Sequence, residues 1–148
     1  VGSSAGPDAV YEKVTLDAMG VSDPQLAQAE DLLLASEEHQ KARRLAEEAL
    51  SAARARGDLE VSADALRVIV NCCRVQAQQP RYKDGAEKKA ILVEAEKRAN
   101  EELAFFREKG DRRGEAMMLL CGAEAMLESR RIPEGRRGNK KRQGARAA

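Results

Sequence analysis

The chain has 148 residues, enough for one domain, and its 3% aromatic content, lack of Trp and abundance of Ala exclude a sheet protein. Its formal charge of +1 hides an asymmetry: from Ser129 onward eight Lys and Arg face Glu134 alone, a net +7, which leaves −6 for the remainder. Three cysteines, Cys72, Cys73 and Cys121, make an odd set without CxxC spacing and with His39 as the sole histidine, so neither a disulfide framework nor a zinc site is indicated and a reducing intracellular compartment is favoured.

Residues 1–21 read as a flexible lead. Val1 to Asp8 is rich in Gly, Ser and Pro without periodicity, and Val10, Val14, Leu16 and Met19 are spaced for a short helix before Gly20. The start, VGSSAGPDAV, lacks an initiator Met and the regions of a signal peptide, which points to a processed product or a piece of a longer chain. No apolar run approaches the roughly 20 residues that span a bilayer. A helical domain is expected over 22–131. Ser22-Asp23-Pro24 places a capping side chain before a Pro whose missing N–H costs nothing in a first turn, and a helix continues through Leu26, Ala29, Leu33 and Leu34. A second helix follows Ser36 over EEHQKARRLAEEALSAARARG, with acids in its first turn, bases in its last, and Glu37 positioned to support Lys41. Gly57 ends it and Asp58 caps a third, which is apolar on most sides through Val61, Ala65, Leu66, Val68, Ile69, Val70, Cys72, Cys73 and Val75 and is expected to be the most buried. Polar, turn-forming residues at 78–85 precede a fourth helix from Glu87 to Lys109, striped by Ile91, Leu92, Ala95, Ala99, Leu103 and Phe106. Gly110 closes it, and a fifth runs from Asp111 to near Arg131 with Ala116, Leu119, Leu120, Ala123, Met126 and Leu127. The segment 132–148 is a basic tail, expected to be disordered, because beyond Pro133 it has glycine-separated basic clusters and nothing to build a core.

One pattern occurs twice. Ala42, Ala46, Leu50, Gly57, Asp58, Ala63 and Leu66 recur 53 residues later as Ala95, Ala99, Leu103, Gly110, Asp111, Ala116 and Leu119. Small residues four apart draw a narrow stripe along a helix, Gly-Asp closes that helix and caps the next, and another Ala opens the following stripe. The run Ala42-xxx-Ala46-xx-Ala49-Leu50 with Gly57-Asp58, and the run from Gly110 to Ala116, resemble the tetratricopeptide repeat, in the variety with Gly-Asp at unit junctions. The chain departs from that family's unit of about 34 residues. It also lacks the large aromatic usual early in a unit's first helix, and Glu102 stands where a small residue would match Ala49. The resemblance implies an all-α fold, an antiparallel helix-hairpin array forming a tetratricopeptide-like α-solenoid of about five or six helices.

Catalysis has little to stand on. His39 has no nucleophile or directing carboxylate at a useful spacing and reads as a solvated side chain; no GxxxxGK[ST] or GxGxxG appears. The three cysteines read as small core residues. No catalytic residue, cofactor or metal ligand is assigned, and the chain is not expected to be an enzyme. The best binding candidate is a polar line on the third helix, where Asp64, Arg67, Asn71 and Arg74 share one face. In the family that the chain resembles, the first helix of each unit turns this face to a concave groove; Arg67 and Arg74 suit a carboxylate fork and Asn71 a peptide backbone. The same four residues equally suit the solvated face of an amphipathic helix. In the tail, Arg136, Arg137, Lys140, Lys141 and Arg142 suit a polyanion bound without specificity, since no aromatic there can stack on a base; an idle solvated tail is the plain alternative.

The expected function is a protein–protein interaction module, binding a peptide or partner subunit in the groove between helices. The alternatives are a structural brace in a larger assembly, and weak nucleic-acid or anionic-surface binding through the tail. Leu119, Leu120 and Met126 have no following helix and are expected to require a partner or further sequence over them.

Overall fold

The structure, a computed structural model, describes residues 23–36 and 38–133. The expected lead with its short helix, Glu37, and the polyanion candidates Arg136, Arg137, Lys140, Lys141 and Arg142 lie outside the described residues. Among those described the chain is all-helical, without strands: α1 is Pro24–Ser36, α2 His39–Ala55, α3 Leu59–Ala77, α4 Gly85–Glu108 and α5 Arg112–Arg131. None of these helices is long and apolar enough to cross a membrane.

Local chemistry sets most of the boundaries. Asp23 accepts hydrogen bonds from the N–H groups of Gln25 (2.9 Å) and Leu26 (3.1 Å), with Pro24 filling the first turn of α1. Gly57 and Gly110 adopt φ of +70° and +68°. Behind each, the next N–H reaches back across the turn, Asp58 to the Ala53 carbonyl at 2.8 Å and Asp111 to that of Phe106 at 3.0 Å, while the glycine N–H donates to Arg54 (3.2 Å) or Arg107 (3.1 Å). Both Gly-Asp junctions are therefore Schellman terminations, for which a residue without Cβ is suited. The two aspartates then differ. Asp58 caps α3 by accepting from Val61 N–H at 3.1 Å, whereas Asp111, at the same position of α5, makes no side-chain cap bond. The α2 helix starts at His39, later than its acidic run suggested, and Lys41 pairs with Glu38 at 3.7 Å. Asp84 accepts from Ala86 N–H at 3.0 Å and starts α4 slightly ahead of Glu87.

Cross-helix pairs give the directions. Gln25 donates to Glu48 (2.9 Å), Arg43 to the Cys73 sulfur (3.7 Å) and Arg107 to Glu115 (2.9 Å), so α1–α2, α2–α3 and α4–α5 are antiparallel hairpins. Alternate helices run parallel: Asp64 and Arg74 on α3 meet Arg113 and Glu124 on α5, while Glu47 and Arg54 on α2 meet Arg98 and Glu102 on α4. The backbone of α3 comes close to both α1 and α5; α2 and α4 meet through the long side chains of their ion pairs.

The core runs between these rows. Ala42, Ala46, Ala49 and Ala53 are all buried on α2, where small side chains allow close axial approach. As its composition predicts, α3 is buried nearly all round, from Val61 through Leu66 and from Val68 through Val70. Phe106, fully buried on α4, lies over Gly114 of α5. The repeat-equivalent positions, 53 residues earlier, are Ala53 and Val61, both buried: the large and small partners have exchanged helices between the two copies. Ile132 and Pro133, the first residues of the expected tail, lie against Gly85 at the start of α4.

Candidate functional site

Because α3 is surrounded, little of it reaches solvent, and what does includes Arg67, Asn71 and Arg74. The helical period places these three on one face with Asp64, which is sunk to 5% exposure. The structure thus brings all four predicted residues into one line. It also supplies partners that no local pattern announced. Arg67 Nη2 lies 2.5 Å from Glu30 Oε1 on α1. Arg74 donates through Nε to Glu128 Oε1 (2.6 Å) and through Nη1 to Glu124 Oε2 (3.2 Å) on α5, and Nη1 also reaches Asn71 Oδ1 (3.2 Å). Asp64 accepts from Arg113 Nη2 at 3.0 Å. The line is a seam joining α3 to helices on both sides.

The guanidiniums are consequently not open forks. Burial opposes the charge on Arg74, but the hydrogen bond to Glu128 and the fields of Glu128 and Glu124 outweigh it and raise its pKa above the usual arginine value. The opposite side of the molecule is sewn in the same manner. Arg98 of α4 makes a two-pronged pair with Glu47 of α2, one prong at 2.8 Å, and Arg54 pairs with Glu102. The bond from Arg98 holds the Glu47 carboxyl below its usual range against the effect of burial. Glu102, the departure from the small-residue pattern, is thereby accounted for: it faces Arg54 across the α2–α4 gap.

His39 does not sit in solvent as expected. It is 7% exposed, and desolvation, with Arg81 and Arg43 nearby, depresses its pKa from the usual 6.5. The first turn of α2 faces the turn at 78–84, where Glu38, His39, Lys41, Arg44, Gln79 and Arg81 border an open hollow of about 350 Å³. Burial pushes the Cys72 thiol up to about 12, helped by Cys73, and Cys121 to about 11; all three cysteines are buried and free. Such thiols carry little thiolate and react slowly. Among the described residues no group of three or more His, Cys, Asp or Glu side chains is placed to hold a metal ion.

Comparison with protein-family models, with curated proteins and with solved structures gives no match. The functional reading therefore rests on the geometry. Sequence reasoning missed Glu30, Arg113, Glu124 and Glu128. The i, i+4 spacing of Glu124 and Glu128 was the only local signal, since it puts two carboxylates on one side of α5.

Proposed function

We propose that the chain is a non-catalytic protein–protein interaction module, a tetratricopeptide-like array in which the row α1, α3, α5 forms a trough for a peptide or partner segment. The observation that supports this is the position of the polar line: Arg67, Asn71 and Arg74 are partly exposed along one face of a largely buried helix, flanked by Glu30 on one side and Glu124 and Glu128 on the other. Asn71 is the available recognition group. Its Oδ1 accepts from Arg74, while its side-chain NH2 has no partner among the described residues and suits a peptide carbonyl. A ligand carboxylate would bind by exchanging with Glu124 or Glu128 on Arg74, so the arginine pairs act as a pre-ordered frame.

The test is affinity capture from the native source with identification by mass spectrometry, followed by titration of the identified segment against Asn71→Ala and against Arg67→Ala/Arg74→Ala. Affinity should fall by about tenfold or more, roughly 1.4 kcal/mol, with helical content retained in Asn71→Ala. Undiminished binding by both variants rules out the trough.

A further inference from the structure

The outward face of α5 is apolar along its length. Ala116, Leu119, Leu120, Ala123 and Leu127 lie within one arc of the helix, and Leu119, Leu120 and Leu127 are 49%, 57% and 51% exposed. The 53-residue register shows what is unusual here. Ala63, Leu66 and Val70, the counterparts of Ala116, Leu119 and Ala123, are buried on α3 by neighbouring helices. Arg67 and Arg74, the counterparts of Leu120 and Leu127, are held there by carboxylates of those neighbours. So α5 carries the surface of a helix packed on both sides, and offers leucines where α3 offers charge.

The charges at the ends of this stripe identify what fits it. Arg112 and Arg113 bracket one end, Arg130 and Arg131 the other. Arg113 is paired with Asp64, while Arg112, Arg130 and Arg131 have no ion-pair partner among the described residues. The acids of α5 are already engaged, Glu115 with Arg107, and Glu124 and Glu128 with Arg74. At the Arg112 end the carboxylates of Asp111 and Glu108 stand close by, also without an ion pair among the described residues, so the unneutralised charge is positive at the Arg130–Arg131 end. A second copy laid antiparallel on the same face would bring arginines against arginines at each end, and the sequence beyond residue 133 is itself basic and without large apolar residues.

We propose that α5 docks an amphipathic helix of a partner protein, apolar along one face and acidic at the end that meets Arg130 and Arg131, which packs on α5 as the next helix of the array. Leu120 and Leu127 stand at the register positions of Arg67 and Arg74, with Glu124 beside them, so this surface adjoins the trough; the inference rests on the exposed leucines and not on a ligand in the trough.

The full chain is titrated with a labelled synthetic helix of about 20 residues, the length of α5, carrying Leu and Ala on one face and Glu at the end that meets Arg130 and Arg131, and with a matched peptide carrying Lys instead. Expected are saturable binding of the Glu peptide that weakens with salt, and at least about tenfold weaker binding of the Lys peptide. The variant Leu120→Asp/Leu127→Asp, checked for an unchanged melting curve, should lose the Glu peptide. Should that variant unfold, Arg112→Ala/Arg130→Ala/Arg131→Ala, which removes only exposed cations, must show the same weakening. Absence of saturable binding, equal binding of the two peptides, or affinity untouched by these substitutions overturns the proposal. So does a dimer in sedimentation that dissociates on Leu120→Asp, since that would assign the face to a second copy.

Discussion

The ring of Phe106 occupies the space that a side chain on Gly114 would need: a Cβ there would stand 2.2 Å from Phe106 Cδ1 and 2.6 Å from Cγ. The α4–α5 hairpin closes by matching its largest buried side chain with the absence of one. In the preceding copy the same two positions hold Ala53 and Val61, so identical Gly-Asp terminations are followed by opposite distributions of volume.

This contact makes two glycines of α5 behave oppositely. Alanine gains about 1 kcal/mol over glycine in a helix interior, yet Gly114→Ala should cost a net ~1–3 kcal/mol through overpacking against Phe106. Gly122→Ala, whose Cβ would meet Asn100 Oδ1 at 3.4 Å and Ala99 Cβ at 3.6 Å, should be neutral or stabilising. Urea unfolding of both variants decides the matter; equal effects would contradict the geometry. Phe106→Ala/Gly114→Val, which restores the earlier copy's size order, should be more stable than Phe106→Ala alone.

The two junction aspartates offer a matched comparison. Asp58→Ala should lose about 1 kcal/mol, the worth of a typical N-cap bond, because Val61 N–H loses its acceptor. Asp111→Ala, with no such bond to lose, should stay within about 0.5 kcal/mol of the parent. Thermal melts of the pair provide the check, and a larger loss at Asp111 would refute the distinction.

Asp64 depends on Arg113. With Asp64 nearly buried and its partner half exposed, Arg113→Ala should cost about 1–3 kcal/mol by leaving a buried carboxylate poorly satisfied. The same substitution in an Asp64→Ala background should cost less. A double-mutant cycle that returns no coupling would show the pair to be incidental.

His39 sets a pH dependence with a defined sign. Its pKa is depressed in the folded chain, so the unfolded chain takes up the proton first as pH falls. The contribution to stability is complete above the unfolded value of about 6.5 and is lost as pH falls from there through the folded pKa. His39→Gln should flatten the stability profile between about pH 7 and 5. Glu47, whose carboxyl is likewise depressed from 4.5, adds its own loss only at lower pH. Since the protein has one histidine, NMR titration of its imidazole reads the value directly, and a pKa at or above 6.5 would refute the assignment.

The helices and their ends could be read from the sequence because each depends on residues within one turn. Asp23-Pro24, Gly57-Asp58 and Gly110 act through backbone dihedrals and neighbouring N–H groups, and each marks a boundary where it was expected; Asp84, which the sequence reading did not single out, starts its helix slightly ahead of Glu87. The burial of α3 followed from its composition, and the shared face of Asp64, Arg67, Asn71 and Arg74 from the helical period alone.

What these side chains touch was settled elsewhere. The sequence spaced Arg67 and Arg74 correctly but could not disclose that Glu30, Glu124 and Glu128 hold them, since the partners lie 37, 50 and 54 residues away. His39 looked solvated in its acidic run and is buried at the edge of a hollow that it shares with Gln79 and Arg81, 40 and 42 residues further along the chain. Nor did the 53-residue echo reveal that Phe106 needs Gly114. Local backbone preference sets where a helix begins and stops; which of its faces is covered, and which charge answers which, is decided only when helices distant in the chain pack together and desolvate one another.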